Sequence, residues 1–241
     1  MQQPNPGTMI KIQGLSHRYL ERPILENITF NALPGEIICL LGPSGSGKTT
    51  LLNLVAGLIQ PGSGTLQKQS EKISYVFQED RLLDWCTAYE NLAILGGRKE
   101  EIPDWLDLVG LNGVEKMPVM RLSGGMRQRC SMARAFYHGA PLMLMDEPFK
   151  SLDYGLRLDM AKKLIQLWRR RACTILFVTH EIDEALMLAD RILVLTSSPG
   201  TIAKTLQLEK RQEDRSLMDP ELAAAREELL RQLLKSRLDT D

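Results

Sequence analysis

No apolar run in this sequence approaches the roughly 20 residues needed to cross a bilayer, so any role at a membrane has to be borrowed from a partner. The amino-terminal MQQPNPGTM lacks the basic and apolar regions of a secretory signal. Cysteine is sparse: Cys39, Cys86, Cys130 and Cys173 are scattered, form no C-x-x-C pair, and sit in or beside apolar runs. That pattern points to reduced, mostly buried thiols and a cytosolic setting. Net charge is missing too, because 30 Lys and Arg balance 30 Asp and Glu. No global field therefore favours nucleic acid or an anionic membrane surface. Low-complexity segments and solenoid-type repeats are absent as well. The 241 residues suffice for one large domain, or for a domain with an inserted subdomain.

What is present is an alternation of two periods. Apolar β-type runs occur at 36–41, 73–77, 142–145, 174–179 and 191–196, and helical patterns follow at 48–57, 153–171 and 182–189. The runs at 142–145 and 174–179 are almost continuously apolar, as in parallel strands covered on both faces. Strand–helix alternation predicts an α/β fold with a mainly parallel sheet. Residues from about 82 to 137 break that rhythm. Ile102, Trp105, Leu106 and Val109 recur at helical spacing, as do Met126, Cys130, Ala133 and Tyr137, with no convincing strand between. This stretch reads as a helical subdomain inserted into the sheet. Near the carboxyl end, Asp219-Pro220 resembles a helix start and Leu222, Ala225, Leu229 and Leu233 form a stripe. That helix is expected to pack on its own domain, with a partner helix as the alternative.

Gly42-Pro43-Ser44-Gly45-Ser46-Gly47-Lys48-Thr49 fits G-x-x-x-x-G-K-[ST], between the strand-like EIICLL and the helical TTLLNLVAG. Glycines let backbone N–H groups turn inward around phosphate oxygens, and the helix N-terminus adds partial positive charge. Lys48 is expected to reach the β- and γ-phosphates and the Thr49 hydroxyl to ligate Mg²⁺. In LMLMDEP an apolar strand ends in Asp146, which places a carboxylate by the Mg²⁺ ion. Glu147 follows and would polarise the water facing the γ-phosphate. His180 follows TILFVT at another strand end, where an imidazole would hydrogen-bond the γ-phosphate; His17 and His138 lack such a context and read as structural. One feature is left over. RLSGGMRQRC, residues 121–130, opens a second helix suited to anions, which a single nucleotide site does not need.

With these residues in place, the sequence resembles the ATP-binding subunit of an ABC transporter over roughly residues 9–200. GPSGSGKT is similar to the Walker A motif, LMLMDE to Walker B, and LSGGMRQ to the signature of that family. Gln78 matches the Q-loop, Ser151-Leu152-Asp153 the D-loop, His180 the switch histidine, and Tyr19 the aromatic that stacks on adenine. The resemblance implies a P-loop NTPase, RecA-like core with an N-terminal antiparallel β subdomain and an inserted helical subdomain. Two such domains would bind head to tail around two ATP molecules. Nucleotide contacts then fall on Tyr19, Gly42 through Thr50, Gln78, Asp153, and on Ser123, Gly124, Gly125 and Gln128 toward the partner's nucleotide. Mg²⁺ falls to Thr49, Gln78 and Asp146, and catalysis to Glu147, His180 and Lys48. The leftover signature helix becomes half of a site completed by a second subunit. Lys150 departs from the family pattern, standing where a small residue is usual, and Leu152 stands where alanine is common.

Residues 1–200 then form the ATPase domain, with the helical subdomain at about 82–137. Residues 201–241 form a strand and helix extension on the same domain. With one nucleotide domain and neither a membrane span nor a long heptad insertion, the chain resembles a dedicated importer subunit. Such a subunit acts at the cytoplasmic face of the inner membrane with a separate permease and, indirectly, an extracytoplasmic solute-binding protein. VFQEDRLLDWCTAYENL, VLTSSPGTI and DPELAAAREELLRQLL most resemble the nitrate, sulfonate, taurine and bicarbonate group, which implies a small anionic solute. Leu82, Leu83 and Trp85 read equally as part of a permease-docking groove and as core of the helical subdomain. The alternative is a soluble ABC ATPase acting as a mechanical clamp in a non-transport complex.

Overall fold

The structure, a computed structural model, describes residues 7–150 and 152–238. Ser151 of the expected D-loop lies outside the described residues. The chain begins with an antiparallel hairpin, β1 (Ile10–Tyr19) and β2 (Arg22–Ala32), and β1 also pairs antiparallel with β4 (Ser63–Lys68) to give a three-stranded sheet. The larger sheet has six strands in the order β5-β6-β7-β3-β8-β9. These are β3 (Ile37–Leu41), β5 (Ile73–Val76), β6 (Leu142–Asp146), β7 (Thr174–Thr179), β8 (Arg191–Leu195) and β9 (Ile202–Gln207). All neighbours are parallel except β8 and β9. The expected α/β architecture, with an antiparallel β layer beside a parallel core sheet, is the one observed.

Continuous apolar strands arise because the central sheet is buried on both faces. Along β3, Ile37, Cys39 and Leu41 enter one core while Ile38 and Leu40 enter a second. The same alternation divides Met143 and Met145 from Leu142 and Leu144 on β6, and Ile175 and Phe177 from Leu176 and Val178 on β7. The second core lies under α1 (Lys48–Ala56) and the antiparallel sheet. The first lies under α4 (Gly124–His138), α5 (Tyr154–Arg170) and α6 (Ile182–Leu188), and continues among the short helices α2 (Ala88–Ala93) and α3 (Ile102–Leu108). Truncating any of these fully buried aliphatic side chains to alanine would cost about 2–5 kcal/mol.

No strand interrupts residues 82–137; α2, α3 and α4 pack on one another there, around the buried Trp105 and Phe136. The last helix, α7 (Pro220–Leu238), packs against α6. Its stripe faces the domain: Leu222 and Leu229 are buried, and Ala225 and Leu233 are partly buried against the same core. The Asp219 carboxylate accepts the Ser216 N–H and the Lys210 ammonium, while its carbonyl accepts the Ala223 N–H of the first turn.

Among the described residues no helix is long and apolar enough to cross a membrane. The cysteines are free: Cys39, Cys130 and Cys173 are buried and Cys86 is half-buried.

Candidate nucleotide-binding and hydrolysis site

The phosphate loop, Asp146, Glu147 and His180 all hang from the carboxyl ends of parallel strands. The loop after β3 closes in a tight turn, with Ser46 N–H on the Pro43 carbonyl at 3.3 Å, and Gly45 and Gly47 both adopt φ of 83°. A left-handed backbone alone favours glycine at position 47. Packing demands it as well, since a Cβ there would lie 2.6 Å from Leu25 Cδ2 on β2. Behind the loop, a Cβ on Gly200 would fall 2.1 Å from the Ser46 carbonyl. Gly200 also exchanges backbone hydrogen bonds with β2, its N–H to Ile24 at 2.8 Å and its carbonyl from Glu26 at 3.0 Å. The SSPGT turn thus braces the phosphate loop from the rear, a contact that no sequence pattern announces.

Ser44, Gly45, Gly47, Lys48, Thr49, Thr50 and Glu147 line one open pocket of about 370 Å³, together with Arg22 and Ile24 of β2. Lys48 Nζ donates to the carbonyls of Gly42 at 2.8 Å and Pro43 at 2.7 Å, and reaches Ser46 Oγ at 3.4 Å. Burial depresses its pKa, an effect opposed by the negative charges of Glu147 and Asp146. Asp146, 5% exposed at the end of β6, has its carboxyl raised by burial, opposed by a hydrogen bond from the Thr49 hydroxyl. The pair presents two adjacent hard oxygen donors beside the pocket, which suits Mg²⁺. Among the described residues no group of three or more His, Cys, Asp or Glu could hold a metal alone. Phosphate oxygens and water would therefore have to complete the coordination sphere.

Glu147 is held in an unusual way. Its backbone is left-handed, with φ of 45°, and its N–H bonds the Val178 carbonyl of β7 at 3.0 Å. Non-glycine residues rarely take that conformation, and where they do it tends to mark a functional position. Oε1 lies 3.1 Å from Nδ1 of His180, and Oε2 lies 2.7 Å from the Lys150 ammonium. Burial pushes the carboxyl upward, but the hydrogen bonds from Lys150 and His180 outweigh it and bring the pKa below the usual value. A carboxylate of that kind is ionised at neutral pH and able to accept a proton from water.

The remaining expected residues lie elsewhere on the chain. Tyr19 is half-exposed at the end of β1, directly across from pocket-lining Arg22, with its ring edge-on to His17 at 4.9 Å. Gln78 is exposed just beyond β5. Ser123 caps α4, its hydroxyl accepting the Met126 N–H at 3.3 Å, with Gly124 and Gly125 in the first turn and Gln128 buried. None of these six residues lines the Lys48 pocket. Asp153 caps α5 by accepting the Leu156 N–H at 2.9 Å. Its side chain thus has a structural task in the free chain beside the nucleotide role that the resemblance implies. His138 bonds the Ser74 hydroxyl at 3.0 Å, and the His17 ring nitrogens meet no partner among the described residues.

Fold and site together define a P-loop ATPase. Comparison with known proteins narrows this further. Residues 25–150 match the family described as ABC transporter. The aliphatic sulfonates import ATP-binding protein SsuB 2 of Pseudomonas syringae pv. tomato is 40% identical over 218 residues, covering 89% of this chain and 94% of its own. SsuB of Bacillus thuringiensis subsp. konkukian is 39% identical over 196 residues, covering 76% of this chain and 78% of its own. Among solved structures, the dimeric post-hydrolysis state of the ATP-binding cassette MJ0796, bound to ADP and Pi, superposes with a TM-score of 0.71 at 27% identity. It covers 84% of this chain and 100% of the other. The chain belongs to the ABC transporter family, as an ATP-binding subunit that hydrolyses ATP.

Proposed function

We propose that the chain powers uptake of an aliphatic sulfonate or a closely similar small organic anion. It would work as one of two ATPase subunits docked on a separate permease at the cytoplasmic face of the membrane, supplied by an extracytoplasmic solute-binding protein. The sulfonate-importing relatives support the solute class, and the dimeric solved cassettes support the pairing. Within the site, Lys48 and the loop amides of residues 42–50 cradle the phosphates. Thr49, Asp146 and Gln78 hold Mg²⁺, and Tyr19 stacks on the base. Glu147 takes the proton of the attacking water, and His180 orients Glu147 and senses the γ-phosphate. Ser123, Gly124, Gly125 and Gln128 complete the partner's site, with Asp153 beside them.

The observation that carries this reading is the Glu147 carboxylate, oriented by His180 at 3.1 Å while lining the Lys48 pocket. Glu147→Gln is expected to keep ATP binding, to lose turnover by a factor of about 10² or more, and to trap a dimer on ATP. ATPase assays and size-exclusion chromatography check it, and wild-type turnover would remove Glu147 from the reaction. Cells carrying Lys48→Ala are expected to lose uptake of labelled alkanesulfonate. Unimpaired uptake there, with uptake of another anion lost, would reassign the solute.

A further inference from the structure

Lys150 has no part in the reaction just proposed, yet its ammonium touches the residue at the centre of it. The contact is built into the chain. Fully buried Phe149 anchors the turn after β6, and the Lys150 N–H returns to the Glu147 carbonyl at 3.2 Å. The side chain then closes on the carboxylate, with Nζ 2.7 Å from Oε2. Since His180 lies 3.1 Å from Oε1, both carboxylate oxygens are engaged, one by an ammonium and one by an imidazole. An ion pair of that length holds this oxygen against the ammonium, and has to be surrendered before the carboxylate can turn to the water. The Lys150 side chain is 49% exposed on a flexible stem, whereas Glu147 is 15% exposed, so the lysine is the partner free to leave.

We infer that Lys150 is a positioning residue that restrains Glu147 as a brake on basal hydrolysis, released when the polyphosphate of bound nucleotide competes for the ammonium. The inference rests on Glu147 being the acceptor of the water proton. A half-exposed ion pair is a weak restraint, so the brake is modest, about three- to five-fold in rate.

Steady-state ATPase of the purified full chain tests it. Lys150→Ala is expected to raise kcat about three- to five-fold with KM for ATP within about two-fold, and Lys150→Arg, which keeps a cation in reach, to match the wild type. The double variant Lys150→Ala, Glu147→Gln is expected to be as inactive as Glu147→Gln alone, showing that the added turnover runs through Glu147. A Lys150→Ala rate at or below wild type, or a Lys150→Arg rate equal to that of Lys150→Ala, overturns the brake while leaving Glu147 in place. Wild-type turnover by Glu147→Gln overturns the reading of Glu147 and the brake with it.

Discussion

Nδ1 of His180 lies 3.1 Å from Oε1 of Glu147, and this contact ties together the ends of two adjacent parallel strands. Sheet register produces it. Asp146 on β6 pairs with Val178 on β7, so Glu147 and His180 emerge side by side, one and two residues further on. His180→Ala would leave the pocket walls intact but free the carboxylate to rotate. The expected result is a kcat reduced by about 100-fold with KM for ATP little changed. Steady-state kinetics check it, and an unaltered kcat would show that Glu147 is aimed by other groups.

A second carboxyl lies beneath the same loop. The Glu184 side chain is 3% exposed, accepts the Thr179 hydroxyl at 2.6 Å, and has Arg157 Nε at 3.4 Å. Burial raises its pKa from 4.5 to about 7, against the lowering effect of the Thr179 hydrogen bond and of Arg157. The folded state thus binds this proton more tightly than the unfolded chain does. Its contribution to stability is complete below pH 4.5 and is lost as pH rises through about 7. Glu184→Gln abolishes that loss. The variant is expected to gain stability relative to wild type as pH rises from about 5 to 8, read as the difference between urea midpoints. An identical difference at both pH values would show that Glu184 does not titrate in this window.

Helix α2 has only six residues and depends on its start. Thr87 Oγ1 accepts the Glu90 N–H at 3.1 Å, and Glu90 Oε2 accepts the Thr87 N–H at 2.8 Å, a reciprocal cap. Asn91 on the same helix then holds the preceding loop by two bonds to Leu83, of 2.8 and 3.1 Å. Thr87→Ala is expected to lose about 1 kcal/mol, lowering Tm by about 2–4 °C in thermal unfolding. A change below about 1 °C would show that tertiary packing alone holds α2.

How much of this was legible in the sequence follows from which forces act locally. The strand at 174–179 is read off to the residue, and the helix starting at Lys48 to within one residue of its end, because two-sided burial and phosphate chemistry impose residue types on consecutive positions. Arg22, Ile24 and Gly200 escape notice because β2 and the SSPGT turn reach the phosphate loop only through the tertiary fold. Leu82 and Trp85 show the same limit. With no periodicity in an irregular loop, the two read alike, yet Leu82 is 8% exposed in the core and Trp85 is 77% exposed. Leu82 thus goes to the core, and Trp85 is left facing outward. Asp153 was legible as the start of the helical pattern at 153–171, where its side chain caps α5, whereas its nucleotide role was legible only through resemblance.

The signature turn supports the sharpest prediction, because its two possible partners are separable. Ser123 caps α4 with its hydroxyl on the Met126 N–H, leaving the exposed Gly124 and the helix N-terminus free to meet an anion. None of Ser123, Gly124 or Gly125 lines the pocket of Lys48 in the same chain. If that helix end serves a second chain's γ-phosphate, a large cation at position 123 blocks closure without touching the chain's own nucleotide. Ser123→Arg is therefore expected to bind ATP with wild-type affinity, to lose turnover by about 100-fold or more, and to remain monomeric when combined with Glu147→Gln. Nucleotide titration, ATPase rates and size-exclusion chromatography read the three effects separately. Weakened ATP binding by the isolated variant would place the signature turn in its own chain's site, and normal turnover would remove it from the reaction.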